Sequence, residues 1–121
     1  MIEALRRLFA RPAPTGKALG RWGERHAERH LKRRGYRLVA RNFQVGPGEA
    51  DLVFDDPKSD ALVIVEVKTR VGTTEPGAFR PEANIDAAKR RKLVQVARAA
   101  ASRLNSKDRL LRIDVIAVEW R

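Results

Sequence analysis

The sequence predicts one α/β domain of order α-β-β-β-α-β, a mixed central sheet of about four strands flanked by helices. Three observations predict it. A helical stretch stops at Gly35. Three strand-like stretches follow, separated by Gly46-Pro47-Gly48 and by Asp56-Pro57-Lys58-Ser59-Asp60. A second helical stretch then leads into an apolar run that ends at Trp120.

Each element has a local reason. Residues 1–10 fit a short amphipathic helical turn that Arg11-Pro12-Ala13-Pro14-Thr15-Gly16 breaks, so 1–16 are read as a tail that is a candidate for mobility and 17–121 as a single domain. Lys17 to Arg34 suits a helix, with Gly35 as a left-handed C-cap. Its packed face is Gly20, Gly23, Ala27 and Leu31. Glu24 falls about 20° from Leu31 on the helical wheel and is expected to point along the sheet, whereas Glu28 lies further out and is expected at the surface. Strands are expected over Tyr36–Val45, Glu49–Asp55, Ala61–Thr69 and Leu110–Trp120, with a long loop over 70–81 containing Gly72, Pro76, Gly77 and Pro81. The second helix is expected from about Glu82 to Leu104, since Leu93, Ala97, Ala100 and Leu104 fall on one face. Asp114, an acid inside the last strand, is expected to partner a nearby arginine.

Composition bounds the partner. With 26 Lys and Arg against 15 Asp and Glu, the net charge of +11 attracts polyanions. The absence of any run of 18 apolar residues argues against a membrane span. The first ten residues lack the long apolar segment and cleavage site of a secretory signal. The chain has no cysteine, which removes disulfides and Cys-based zinc sites and fits a cytoplasmic location.

The chemistry concentrates in two acidic positions fifteen residues apart, Asp51 in Gly48-Glu49-Ala50-Asp51 and Glu66 in Leu62-Val63-Ile64-Val65-Glu66-Val67-Lys68-Thr69-Arg70. Strand side chains alternate, so Val63, Val65 and Val67 share one face and Ile64, Glu66 and Lys68 the other. A carboxylate and an ammonium thus end a hydrophobic strand beside a second carboxylate. Phosphodiester cleavage builds negative charge on non-bridging and leaving oxygens. Mg²⁺ or Mn²⁺ neutralises that charge and takes oxygen ligands. Asp51 and Glu66 offer carboxylates and Val67 a backbone carbonyl. Lys68 can position or help deprotonate the attacking water. Glu24 can hold a metal-bound water or a second ion. Thr69 and Arg70 lie next to this group, within reach of a phosphate, and Glu49 is a secondary candidate. The basic stretch Lys89, Arg90, Arg91 and Lys92 is a candidate for phosphate contacts on the second helix, with a solvated helix start as the alternative. Without metal, carboxylates this close repel, so the group is expected to be partly protonated.

At these residues the chain resembles a known family. Gly23-Glu24, Gly35-Tyr36, Arg41-Asn42, Gly48-Glu49-Ala50-Asp51, Val65-Glu66-Val67-Lys68-Thr69-Arg70, Lys89 and Asp114-Val115 resemble the YraN family of small bacterial proteins, over roughly residues 17–118. That family is similar to the restriction-endonuclease-like PD-(D/E)xK superfamily, which includes archaeal Holliday-junction resolvases. The resemblance implies the restriction-endonuclease-like core, the same α-β-β-β-α-β order, and a catalytic set of Glu24, Asp51, Glu66 and Lys68. The superfamily's Pro-Asp is Ala50-Asp51 here, and Ala50 stands where the family usually has isoleucine.

Other signatures fail. His26 and His30 are four residues apart, but Glu28 is one place too late for His-Glu-x-x-His and no third ligand is evident; the pair is expected at the helix edge or against DNA. No P-loop and no Gly-x-Ser-x-Gly is present. Trp22 and Phe79 look exposed and give little support for base stacking. Three functions remain: a metal-dependent DNA endonuclease acting on branched or flapped DNA, a nucleic-acid-binding module with little or no catalysis, and a basic interaction protein. The expected partner is DNA, with no membrane and with a homodimer left open.

Overall fold

A computed structural model describes residues 2–7, 13–72 and 85–120. The elements are β1 (Ile2–Arg7), α1 (Gly16–Arg33), β2 (Arg37–Val45), β3 (Gly48–Asp55), β4 (Leu62–Val71), α2 (Ala87–Arg103) and β5 (Leu111–Trp120). From α1 onward the order is the expected α-β-β-β-α-β. The sheet is mixed, in the order β1-β5-β4-β3-β2. The consecutive strands β2, β3 and β4 pair antiparallel, because tight turns join them. The connection through α2 returns the chain parallel to β4 as β5.

Alternation sorts the apolar residues onto two faces. Leu52, Phe54, Val63, Val65, Ile116 and Val118 meet Ala27 and Leu31 of α1. Val53, Leu62 and Ile64 meet Val96, Ala97, Ala100 and Ala101 of α2. Burying each Leu, Val or Phe side chain contributes about 1.5–3 kcal/mol before the entropy of ordering is subtracted. The central strand β4 is therefore apolar on both faces until Glu66.

Gly35 has φ +91°, and the N–H groups of Arg34, Gly35 and Tyr36 close the end of α1 on the carbonyls of Leu31 and Lys32, as a glycine C-cap does. Asp114 is buried and accepts from Nε and Nη2 of Arg112, at 3.1 and 3.0 Å, as expected. Arg112 also bonds Asp56 and the Tyr36 hydroxyl, and Arg109 bonds Asp55 and the carbonyls of Asp60 and Ala61. This network fastens the β3–β4 turn at the end of the sheet away from Glu66.

Four readings need correction. Residues 2–7 are not a helical turn. They form β1, parallel to β5 from Ile2↔Val115 to Arg7↔Trp120, because the open edge of β5 offers unpaired backbone groups. The second helix starts at Ala87 rather than near Glu82. The Asp86 side chain accepts the Lys89 N–H at 2.8 Å, an N-cap that fixes the boundary. Glu28 is buried, since β2 reaches across α1 and brings Arg41 onto it. Gly20 is not tightly packed, as a Cβ there would meet nothing within 4 Å. Pro76, Gly77, Phe79, Pro81 and Glu82 lie outside the described residues. Among the described residues, no helix is long and apolar enough to cross a membrane.

Candidate functional site

The β3–β4 ladder runs from Asp55↔Leu62 to Leu52↔Val65 and stops. The next residues in register are Asp51 and Glu66. There the strands part, and the Asp51 side chain takes over from the ladder by accepting the backbone N–H of Val67 at 2.8 Å. Two acids thus lie where an apolar sheet opens. Glu66 follows Ile64 onto the α2 face, and Lys68 follows Glu66, with its Nζ 3.3 Å from Glu66 Oε1.

Burial and charge act together on Asp51. Removal from water is the main cause that pushes its carboxyl up to about 7, and the Glu66 charge adds to it. The Val67 N–H opposes that rise, while Glu24 and Glu49 reinforce it. A proton or a cation relieves this repulsion, as the clustering of acids predicts.

Glu24 is brought to this end of the sheet by close helix packing. A Cβ on Gly23 would stand 1.9 Å from Thr69 Oγ1, so only glycine lets α1 lie directly on the end of β4. Thr69 is therefore committed to this helix contact. Glu24 joins the other acids through Asn42, whose Nδ2 donates to Glu24 Oε1 at 2.9 Å and to Glu49 Oε1 at 3.1 Å. Gln44 Nε2 donates to the second oxygen of Glu49. Asn42 has φ +45°, in the left-handed region that asparagine tolerates better than most residues.

A cleft of about 260 Å³ lies between the sheet end and α2. Glu49, Glu66 and Lys68 line it opposite Lys89, Lys92 and Leu93. Lys89 thus shares the cleft with Glu66 and Lys68. Arg90 and Arg91 are exposed on the same turn of α2 and do not line it. Arg70 is half-buried at the end of β4. On the α1 side a second cavity of about 570 Å³ is lined by Glu24 and Asn42 with Arg21, Arg25, Arg29 and Arg41.

The structure therefore places Asp51, Glu66, Lys68 and Glu49 at one end of the sheet, with Glu24 beside them on the α1 side. Among the described residues, no group of three or more His, Cys, Asp or Glu is spaced to hold a metal ion. His26 packs edge-on against Trp22, with ring centroids 4.5 Å apart, and Trp22 packs against Trp120 at 4.7 Å. Trp22 is thus half-buried rather than an exposed stacking platform. Sequence reasoning missed the roles of Asn42 and Gln44, whereas Lys92 belongs to the basic stretch already singled out. The Arg41-Asn42 pair was visible as a motif, but nothing local revealed that the amide spans two carboxylates.

Residues 23–118 match the profile of a family described as the uncharacterised protein family UPF0102. The chain is 37% identical over 108 residues to a UPF0102 protein of Ralstonia pickettii, covering 89% of this chain and 86% of that one. It is 39% identical over 103 residues to a UPF0102 protein of Symbiobacterium thermophilum, covering 85% and 83%. A UPF0102 protein of Chlorobaculum tepidum is 41% identical over 103 residues, covering 83% and 74%.

Proposed function

The chain belongs to the uncharacterised protein family UPF0102, as its resemblance to the YraN proteins implied, and from that premise we propose that it is a metal-dependent DNA endonuclease. The observation that carries the reading is the parting of β3 and β4 at Asp51 and Glu66, with Lys68 on the same face as Glu66. A fold gains no stability from an acid held near neutrality by burial and by three neighbouring carboxylates. A site that binds a cation gains affinity from the same arrangement.

The donor set suits a hard divalent ion. Asp51, Glu66 and the Val67 carbonyl are the residues that would hold Mg²⁺ or Mn²⁺, which supplies neutralisation of charge at the phosphate when bound. The chain's own residues have separate tasks. Lys68 holds the attacking water by its ammonium and, when neutral, takes its proton. Asn42 fixes Glu24 and Glu49 relative to each other, so that Glu24 orients water on the α1 side. Lys89 and Lys92, across the cleft, draw the phosphate in.

The test is incubation of purified protein with linear, flapped and four-way DNAs, with Mg²⁺ or Mn²⁺ against EDTA. Metal-dependent cutting that is lost in both Asp51→Ala and Glu66→Ala supports the reading. Cutting that persists in both variants belongs to a contaminant. A second reading, a nucleic-acid-binding module without turnover, is favoured by one observation: among the described residues, no three acids stand close enough to form a ready-made metal cage. Binding without cutting under every metal condition selects it.

A further inference from the structure

Lys17, Arg21, Arg25, Arg29 and Arg33 recur at every fourth position of α1, from its first turn to its last residue. All five are exposed. Residues four apart on a helix are neighbours, so the five form one continuous ridge about 24 Å long, with a cation about every 6 Å. The ridge crosses the outer surface of the helix. Arg25, at its middle, lies about 160° around the wheel from the buried Ala27.

This arrangement works against the helix. Like charges four residues apart destabilise it by about 0.2–0.5 kcal/mol per pair. The first turn of α1 carries no acid to offset Lys17 against the positive end of the dipole. The two acids of the helix are engaged elsewhere, Glu28 with Arg41 and Lys32 and Glu24 with Asn42. A five-cation ridge that costs helix stability is explained by an anionic partner as long as the helix.

We infer that the α1 ridge is a binding track for the sugar-phosphate backbone of a nucleic acid, separate from the basic turn of α2 on the other face of the sheet. About 24 Å of one strand carries about seven phosphates, a line of charge that five cations match in length and neutralise in large part. An anionic membrane is the poorer partner. The apolar face of α1, with Gly23, Ala27 and Leu31, is buried on the sheet, so the ridge side of the helix has no large apolar face to enter a bilayer. The ridge also leads to the site. Arg21, Arg25 and Arg29 share a cavity with Glu24 and Asn42, so a strand lying on the ridge arrives at the Glu24 side of the parted strands. This last step rests on the nuclease reading; the ridge itself does not.

The test uses the whole chain in EDTA, where no metal-dependent cutting occurs, and a labelled DNA duplex titrated over a range of KCl concentrations. The triple variant Arg21→Ala, Arg25→Ala, Arg29→Ala should bind at least about tenfold more weakly, and its log–log salt slope should be shallower by about 2–3, near 0.9 per lost phosphate contact. A charge-matched variant on other surfaces, Lys58→Ala, Arg98→Ala, Lys107→Ala, should change the slope much less. Arg21→Lys, Arg25→Lys, Arg29→Lys should bind like wild type. Thermal melting of the alanine triple should be unchanged or raised, since repulsion is relieved. If that triple does not fold, Arg25→Ala alone should make the slope shallower by about one. Equal losses in the ridge and charge-matched variants would overturn the track. So would loss of binding to phosphatidylglycerol vesicles with DNA binding intact. Ridge-dependent binding with no cutting by the wild type would retain the track and remove the nuclease reading.

Discussion

Asp51 Oδ2 accepts the Val67 N–H at 2.8 Å, one residue beyond the point where the β3–β4 ladder ends. A side chain on one strand thereby replaces a backbone carbonyl as the partner of the next. This bond links the two strands where their ladder has ended and keeps the Asp51 carboxylate at the opening with Glu66.

Asp51→Asn should alter the pH dependence of stability. The folded-state carboxyl sits near 7, above its ordinary 3.8, so the folded protein retains a proton that the unfolded chain has already released. The contribution of this group to stability is then greatest at low pH and falls as pH rises through that window, by up to about 1.4 kcal/mol per pH unit, before levelling off above it. Urea unfolding of wild type and Asp51→Asn in EDTA should show a difference that grows from pH 4 to 7 in favour of the variant. A constant difference would show that Asp51 does not titrate in this range.

Glu28 should behave in the opposite sense. The Arg41 guanidinium, helped by Lys32, holds its carboxyl down at about 2 against the opposing effect of burial. Its contribution is complete above the ordinary value of 4.5 and is lost as pH falls towards 2. Arg41→Ala leaves the buried carboxylate without its two-point partner and should destabilise the protein by about 1–3 kcal/mol at neutral pH. A melting temperature unchanged in Arg41→Ala would contradict the assignment.

Gly23→Ala should destabilise by about 1–3 kcal/mol through overpacking, because the new methyl would lie 1.9 Å from Thr69 Oγ1 and 2.8 Å from its Cβ. Thr69→Gly in the same chain should recover part of the loss. A Gly23→Ala protein that melts like wild type would mean that α1 does not rest directly on β4.

Asp51→Ala and Glu66→Ala should each abolish metal-dependent cutting, while DNA binding is kept or tightened, since a charge that repels phosphate is gone. Cutting assays and anisotropy on the same preparations separate the two effects.

Lys68→Ala should keep the fold and slow cutting by about 10²–10⁴, the range for losing a general acid or base. Lys68→Arg should not restore the rate, because guanidinium stays charged. Full activity in either variant would remove Lys68 from the chemistry.

Elements whose causes are local can be read from the chain alone. Gly35 ends α1 because glycine takes a positive φ without strain. Gly46-Pro47 turns β2 into β3. The alternation through β4 puts Glu66 and Lys68 on one face. Asp114 in an apolar strand needs a counter-charge, and Arg112 supplies it. Features that depend on distant chain segments emerge only when the chain folds. Residues 2–7 became a strand only because β5, more than a hundred residues later, left an edge open. Glu28 was buried only because β2 brought Arg41 across the helix. Asn42 became a bridge only because Glu24 and Glu49, from two different elements, came within reach of one amide. Periodicity and turn chemistry act within a few residues and can be read directly. Desolvation and charge coupling depend on which surfaces meet, so the near-neutral carboxyl of Asp51 exists only in the folded chain.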